Sequence, residues 1–239
     1  MLFKKDELSK FDFLSFKEFI LVIILLVCAS ILCFLYIPIT LIKLLPAYAK
    51  IFASNYFGII LALTSSFLTF YIIYYFCCKR KNKSLVDGLF FRSVSKKIYT
   101  ISILIGIIMP LLSLPIIFNF APKEFYAMDL LSQEGGLLYL AISATIAPVF
   151  EEIFYRGFIF PFFQSKFNSF WAIILTGLFF GLSHFMNVGN AMVLLSLFVF
   201  YGFILTFLRY FSNSLVPPII THLLHNAVLM GGFFVFGNH

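Results

Sequence analysis

Apolar residues run along this chain in long unbroken blocks. They show neither the two-residue alternation of a half-buried strand nor the narrow stripe of an amphipathic helix. The blocks fall at roughly residues 19–41, 55–77, 99–120, 136–160, 169–187, 191–209 and 215–236. Each holds about 18 or more residues, enough for a helix to cross ~30 Å of hydrocarbon. Strands of a transmembrane barrel would need strict apolar and polar alternation, which is absent. The pattern predicts an all-α, polytopic transmembrane helix bundle of about seven spans. Pro110, Pro115, Pro148, Pro217 and Pro218 lie inside or at the edges of these spans, as membrane helices tolerate.

The polar residues between the blocks set the orientation. With the N-terminus inside, the inner segments collect Lys4, Lys5, Lys10 and Lys17, then Lys79 to Lys97, then Lys166 and Arg209. The outer segments hold only Lys43, Lys50 and Lys123. This bias follows the positive-inside rule and predicts a multi-pass protein with a cytoplasmic N-terminus, in a plasma (inner) membrane by analogy with small bacterial proteins. It also accounts for the net charge of +7. The Lys79–Lys97 cluster therefore reads as a topology signal that attracts anionic lipid, and no nucleic-acid partner is expected. The first 18 residues are a charged leader followed by too long an apolar run for a cleaved signal. Composition agrees, with 62% hydrophobic and 11% charged residues. Cys28, Cys33, Cys77 and Cys78 show no metal or redox spacing; Cys77 and Cys78, at a cytoplasmic helix end, could be acylated but read as ordinary lipid-facing residues. No internal repeat or second soluble domain is visible.

Chemistry-bearing residues concentrate in the C-terminal half. Glu151 and Glu152 are the only acids after Glu134, and Arg156 follows them in an otherwise apolar run. Ionisable residues at membrane depth are costly and mark function. Glu152 and Arg156 are four apart, on one helical face, with the acid N-terminal. Glu151 points about 100° away and lacks that partner. A second group, Phe180 to His184, follows Gly177 and Gly181, whose four-residue spacing lets another helix approach closely. A third is His222 and Asn226, four apart on one face, with His225 directed elsewhere. Both His222 and Asn226 can donate hydrogen bonds to an oxyanion. Converging in one cavity, these groups describe a hydrolytic site. Glu151 and His184 would hold and deprotonate a water, His222 and Asn226 would stabilise the tetrahedral intermediate, and Arg156 would hold Glu152. Hydropathy counting sets Glu151 in the inner half of span 4. It sets His184 near the outer end of span 5 and His222 near the inner end of span 7.

The ordered set Glu-Glu-x-x-x-Arg, Phe-x-x-x-His and His-x-x-x-Asn resembles the CAAX protease and bacteriocin-processing (Abi) family of intramembrane proteases. The matching residues are Glu151, Glu152 and Arg156, then Phe180 and His184, then His222 and Asn226. The similarity covers roughly residues 136–232, leaving residues 1–135 as a variable helical extension. It implies an intramembrane endopeptidase acting on a membrane-associated peptide or protein, with Glu151 activating water. By the same resemblance His184 assists, and His222 with Asn226 forms the oxyanion site. A metal-free mechanism is expected and no cofactor is implied. Glu151, His184 and His222 could supply a His₂Glu zinc set, but the histidines lie on separate helices rather than in a His-Glu-x-x-His motif. Two other readings use the same residues: a proton-relay transporter, and a non-catalytic membrane partner of immunity or scaffold type.

Overall fold

In hydrocarbon only a helix satisfies every backbone N–H and C=O within its own segment, so each apolar block becomes one. The computed structural model describes residues 13–120, 133–188 and 191–236. The leader lysines Lys4, Lys5 and Lys10, together with Lys123 and His239, lie outside those residues. Seven principal helices follow in order: α1 (Phe16–Leu44), α2 (Asn55–Cys77), α3 (Lys96–Phe120), α4 (Gly136–Lys166), α5 (Ser169–Ser183), α6 (Met192–Ser212) and α7 (Val216–Phe236). Among the described residues all regular structure is helical. Six of the helices are long and apolar enough to span a membrane. The exception is α5, whose 15 residues rise only about 22 Å.

Local sequence explains where helices start and where they are interrupted. Ser15 and Glu18 form a reciprocal capping box at α1, satisfying two of the N–H groups that a helix start leaves open. Asn168 accepts from the Trp171 N–H at 3.1 Å to begin α5. The long α4 is built in pieces. It turns at Ile146, resumes as Ala147–Glu152 with Pro148 in its first turn, and widens into a π-helix over Ile153–Ile159. It tightens again at Phe160–Lys166, with Pro161 in the first turn. A proline lacks an N–H, so each of these falls where a fresh segment needs no donor.

Small residues set the closest helix crossings. A Cβ on Gly181 would lie 2.6 Å from the backbone of Val199, and one on Gly202 would lie 2.6 Å from the Gly177 carbonyl oxygen. The expected close approach at Gly177 and Gly181 is therefore made by α6. Likewise α3 and α7 meet at Gly106, where a Cβ would lie 2.8 Å from the Thr221 carbonyl oxygen. The Thr221 hydroxyl donates to the Ser102 carbonyl at 2.9 Å across the same crossing.

One end of the bundle gathers basic residues. Lys81 Nζ donates to the Phe13 carbonyl, Arg80 pairs with Glu18 at 2.7 Å, and Phe19 stacks on Phe162 at 3.6 Å. The segment after α2 folds over the α6–α7 turn, with the Leu215 N–H donating to the Phe90 carbonyl at 2.9 Å. Ser214 and Leu215 are completely buried beneath it.

Two expectations are corrected here. Cys33, Cys77 and Cys78 are buried, and only Cys28 is exposed. Cys77 and Cys78 pack with Phe13, Leu14, Phe19 and Leu89, the behaviour of a small apolar residue in a core. The depth assignments also change. Because α4 continues apolar to Lys166 rather than ending near 160, Glu151 stands 15 residues above its basic end. His184 follows the 15-residue α5, so the two reach a similar height of about 22 Å. His222 is raised as well, since α7 starts from the buried Ser214–Leu215 turn inside the bundle.

Candidate active site

Glu151 and Glu152 occupy the turn of α4 just before its π-helix, and their environments differ completely. The Glu152 side chain is fully buried, whereas Glu151 keeps 35% of its side-chain surface accessible. Arg156, fully buried, brings Nη1 to 2.8 Å from Glu152 Oε1. The expected i,i+4 pair is thus formed, in the surroundings where an unpaired charge is most costly. The rest of the guanidinium is satisfied by α6, with Nη2 donating to the Gly202 carbonyl at 2.9 Å and Nε to the Thr206 hydroxyl at 3.3 Å. Its flat face lies 4.5 Å above the Phe180 ring.

The same Glu152 oxygen lies 2.8 Å from His222 Nδ1. A carboxylate only accepts, so Nδ1 carries the proton of that bond. The opposite ring nitrogen, Nε2, is 3.9 Å from Glu151 Oε2. His222 is therefore flanked by both acids of one dipeptide. Phe180 presents its ring to His222 at 5.7 Å and 75°, and to His184 at 4.7 Å. His184 donates through Nδ1–H to the Phe180 carbonyl at 2.8 Å and stacks on Phe198 of α6 at 4.4 Å.

Glu151, His184, His222 and Asn226 all line one cavity of about 270 Å³. All seven residues singled out in the sequence are thus brought together: four on the cavity, with Phe180 in its wall and Glu152 and Arg156 behind it. Four helices outside the two acids' own element, α3, α5, α6 and α7, build the remaining wall. Among them is α3, through Met109, Ser113 and Ile117, although it falls within the stretch read as an extension.

Two cavity residues escaped the sequence reading. His225 does not point elsewhere but lines the cavity. It stacks on Tyr201 at 3.9 Å and approaches Asn226 Oδ1 with Nδ1 at 3.3 Å. With His225 as donor, that bond turns the Asn226 amide nitrogen away and leaves it free. Tyr201, 4% exposed, donates to the Thr221 carbonyl at 3.2 Å and ties α6 to α7. A lone tyrosine in an apolar helix carries no spacing signal that could have marked it. Arg209 is a third buried polar residue beyond the motif. Its Nε donates to the Arg156 carbonyl at 3.2 Å, inside the π-helix. Its guanidinium lies 4.1 Å from the Phe90 ring. A π-turn skips one i→i−4 bond, and Arg209 takes up a carbonyl of that stretch. Among the described residues no three His, Cys, Asp or Glu side chains are grouped to hold a metal ion.

Fold and site together define a multi-pass helical membrane protein with a polar cavity at membrane depth. Residues 133–228 match the family of type II CAAX prenyl endopeptidases described as Rce1-like. That stretch holds every motif residue, and through it the chain is similar to the CAAX protease family. Neither a curated protein nor a solved structure matches it.

Proposed function

We propose that this protein is an intramembrane endopeptidase that hydrolyses a peptide bond of a membrane-associated protein or peptide. One observation carries the reading. Glu151, the accessible member of the acid pair, faces a cavity shared with His184, His222 and Asn226, and its Oε2 lies 3.9 Å from His222 Nε2.

In this mechanism Glu151 takes a proton from a water held between its carboxylate and His184. The oxygen attacks the scissile carbonyl carbon and forms the C–O bond as the carbonyl electrons move onto oxygen. Asn226 Nδ2–H and His222 Nε2–H donate to that oxyanion. His222 uses Nδ1–H toward Glu152 at the same time, so both ring nitrogens carry protons in this step. The oxyanion and the Glu152 carboxylate supply the counter-charge, since Glu151 holds the water's proton at that point. Collapse of the intermediate breaks the C–N bond, and the proton held by Glu151 passes to the leaving amine. Glu152 and Arg156 act behind His222, fixing its ring. The chemistry is assigned to residues 136–232, with residues 1–135 as the helical extension, and requires no metal. The basic end of the bundle is assigned to the cytoplasmic side of a plasma membrane.

The experiment compares purified wild type with Glu151→Gln on a pooled library of apolar peptides in detergent, with and without a strong chelator. The expected result is cleavage by wild type, lost in the variant and unaffected by chelator. Activity lost to chelator and restored by zinc would replace the metal-free mechanism. Full cleavage by Glu151→Gln would remove Glu151 as the base.

A further inference from the structure

Glu151 belongs to two cavities. Besides the polar one, it lines a second groove of about 500 Å³ beside α4, walled by α1, α2 and Phe179 near the end of α5. The groove is mostly aromatic and aliphatic, with Phe150 and Phe154 on its α4 wall, but it also carries Ser30, Ser65, Ser66 and Thr69.

Three of those hydroxyls differ from most others of the bundle, Thr176 being a further one without a partner. Thr64, Thr100, Ser102, Thr145 and Ser196 each donate to the carbonyl four residues earlier on their own helix, the usual resting arrangement for a hydroxyl in an apolar helix. Ser30 does the same toward Leu26 at 3.0 Å. Ser65, Ser66 and Thr69 have no hydrogen-bond partner among the described residues. Ser65 is nonetheless 8% exposed. Three unspent hydroxyls on two neighbouring turns of α2 therefore line a groove that the accessible acid also lines.

A helical ligand would have no use for them, because its own backbone bonds are complete. An extended polypeptide in hydrocarbon has the opposite need, since each amide N–H and C=O requires a partner. An extended chain advances about 3.3–3.6 Å per residue, so it cannot place one bond at Glu151 without continuing several residues to either side. The second cavity shares Glu151 with the first and so offers that continuation a place.

We propose that the α1–α2–α4 groove is a substrate subsite. It holds the polypeptide on one side of the scissile bond as an extended strand, with Ser65, Ser66 and Thr69 hydrogen-bonding its backbone and the phenylalanines packing its apolar side chains. This rests on the protease reading given above.

The test measures KM and kcat on peptides from the library that wild type cleaves, for wild type and for Ser65→Ala/Ser66→Ala/Thr69→Val. Loss of these bonds is expected to raise KM about tenfold while kcat stays within about twofold. Thr64→Val, on the same helix but bonded to its own backbone, serves as the control and leaves both values unchanged. As a second arm, a benzophenone residue placed at Thr69 in the Glu151→Gln protein is irradiated with a biotinylated library peptide that wild type cleaves. Capture of the peptide supports the subsite, and capture of lipid alone overturns it. An unchanged KM in the triple variant overturns it too. So does a fall in kcat at constant KM, which would make the groove a water route. Cleavage of no library member by wild type would instead remove the protease reading itself, and the subsite with it.

Discussion

The α5–α6–α7 side of the molecule and the α1–α2 side meet at one glutamate dipeptide, yet they are built on opposite plans. On the first side, glycines let backbones touch. Gly177, Gly181 and Gly202 leave no space for a Cβ between α5 and α6, and Gly106 leaves none between α3 and α7. Hydrogen bonds from Arg156, Tyr201 and Thr221 stitch the same helices together. On the second side α1 and α2 meet α4 through phenylalanines and leave a groove with idle hydroxyls. The contrast follows the chemistry. On the proposed mechanism Glu152 and His222 must be held in place, which rigid supports provide. On the same reading Glu151 must meet a ligand, and one flank of its helix is open.

Predictions can break or sharpen this contrast. The largest effect is expected for Glu151→Gln, which removes the proposed base without touching a packed contact. Cleavage should fall by about 10²–10⁴-fold, while the thermal unfolding midpoint in detergent stays that of wild type. An equal loss of folding would place Glu151 among the rigid supports instead. Next comes Arg156→Met, which strands a fully buried carboxylate. Destabilisation of about 3–5 kcal/mol is expected, read as poor accumulation in the membrane and a lowered unfolding midpoint. An Arg156→Met protein as stable as wild type would show that Glu152 is carried neutral.

A smaller loss is expected for Gly181→Val. Overpacking at the α5–α6 crossing should cost about 1–3 kcal/mol. The paired control is Gly231→Val on α7, where a Cβ meets nothing within 4 Å and stability should hold. If both glycines respond alike, backbone contact is not what distinguishes the two sides. The smallest effect is expected for Ser66→Ala on the open flank, with stability unchanged within about 0.5 kcal/mol.

The helices were legible because membrane depth demands long apolar runs, and the site was legible because polar residues in such runs stand out. The pairing of Glu152 with Arg156 followed from spacing alone. The close α5–α6 crossing followed from Gly177 and Gly181. What escaped depends on contacts between distant segments. His222 looked too shallow because nothing local reveals that Ser214 and Leu215 are buried under the Phe90 segment. His225 looked misdirected because its place is set by stacking on Tyr201, a helix away. Cys77 and Cys78 looked lipid-facing because apolar residues facing lipid and facing core read alike. The π-helix at Ile153–Ile159 had no distinct signature, although Pro161 marks where it closes.

The Glu152–Arg156 pair also bears on how the protein is made. Its ionic partner lies within a single helix, while His222 follows 70 residues later. When α4 leaves the ribosome and enters the bilayer, one of its two acids already has its counter-charge, so the helix can partition into lipid before α7 exists. The cavity takes shape only once α7 arrives and the Phe90 segment closes over its first turn. Until then Glu151 faces neither His222 nor Asn226. On the proposed reading, order of synthesis thus keeps the nascent chain inert among the other membrane chains being inserted beside it.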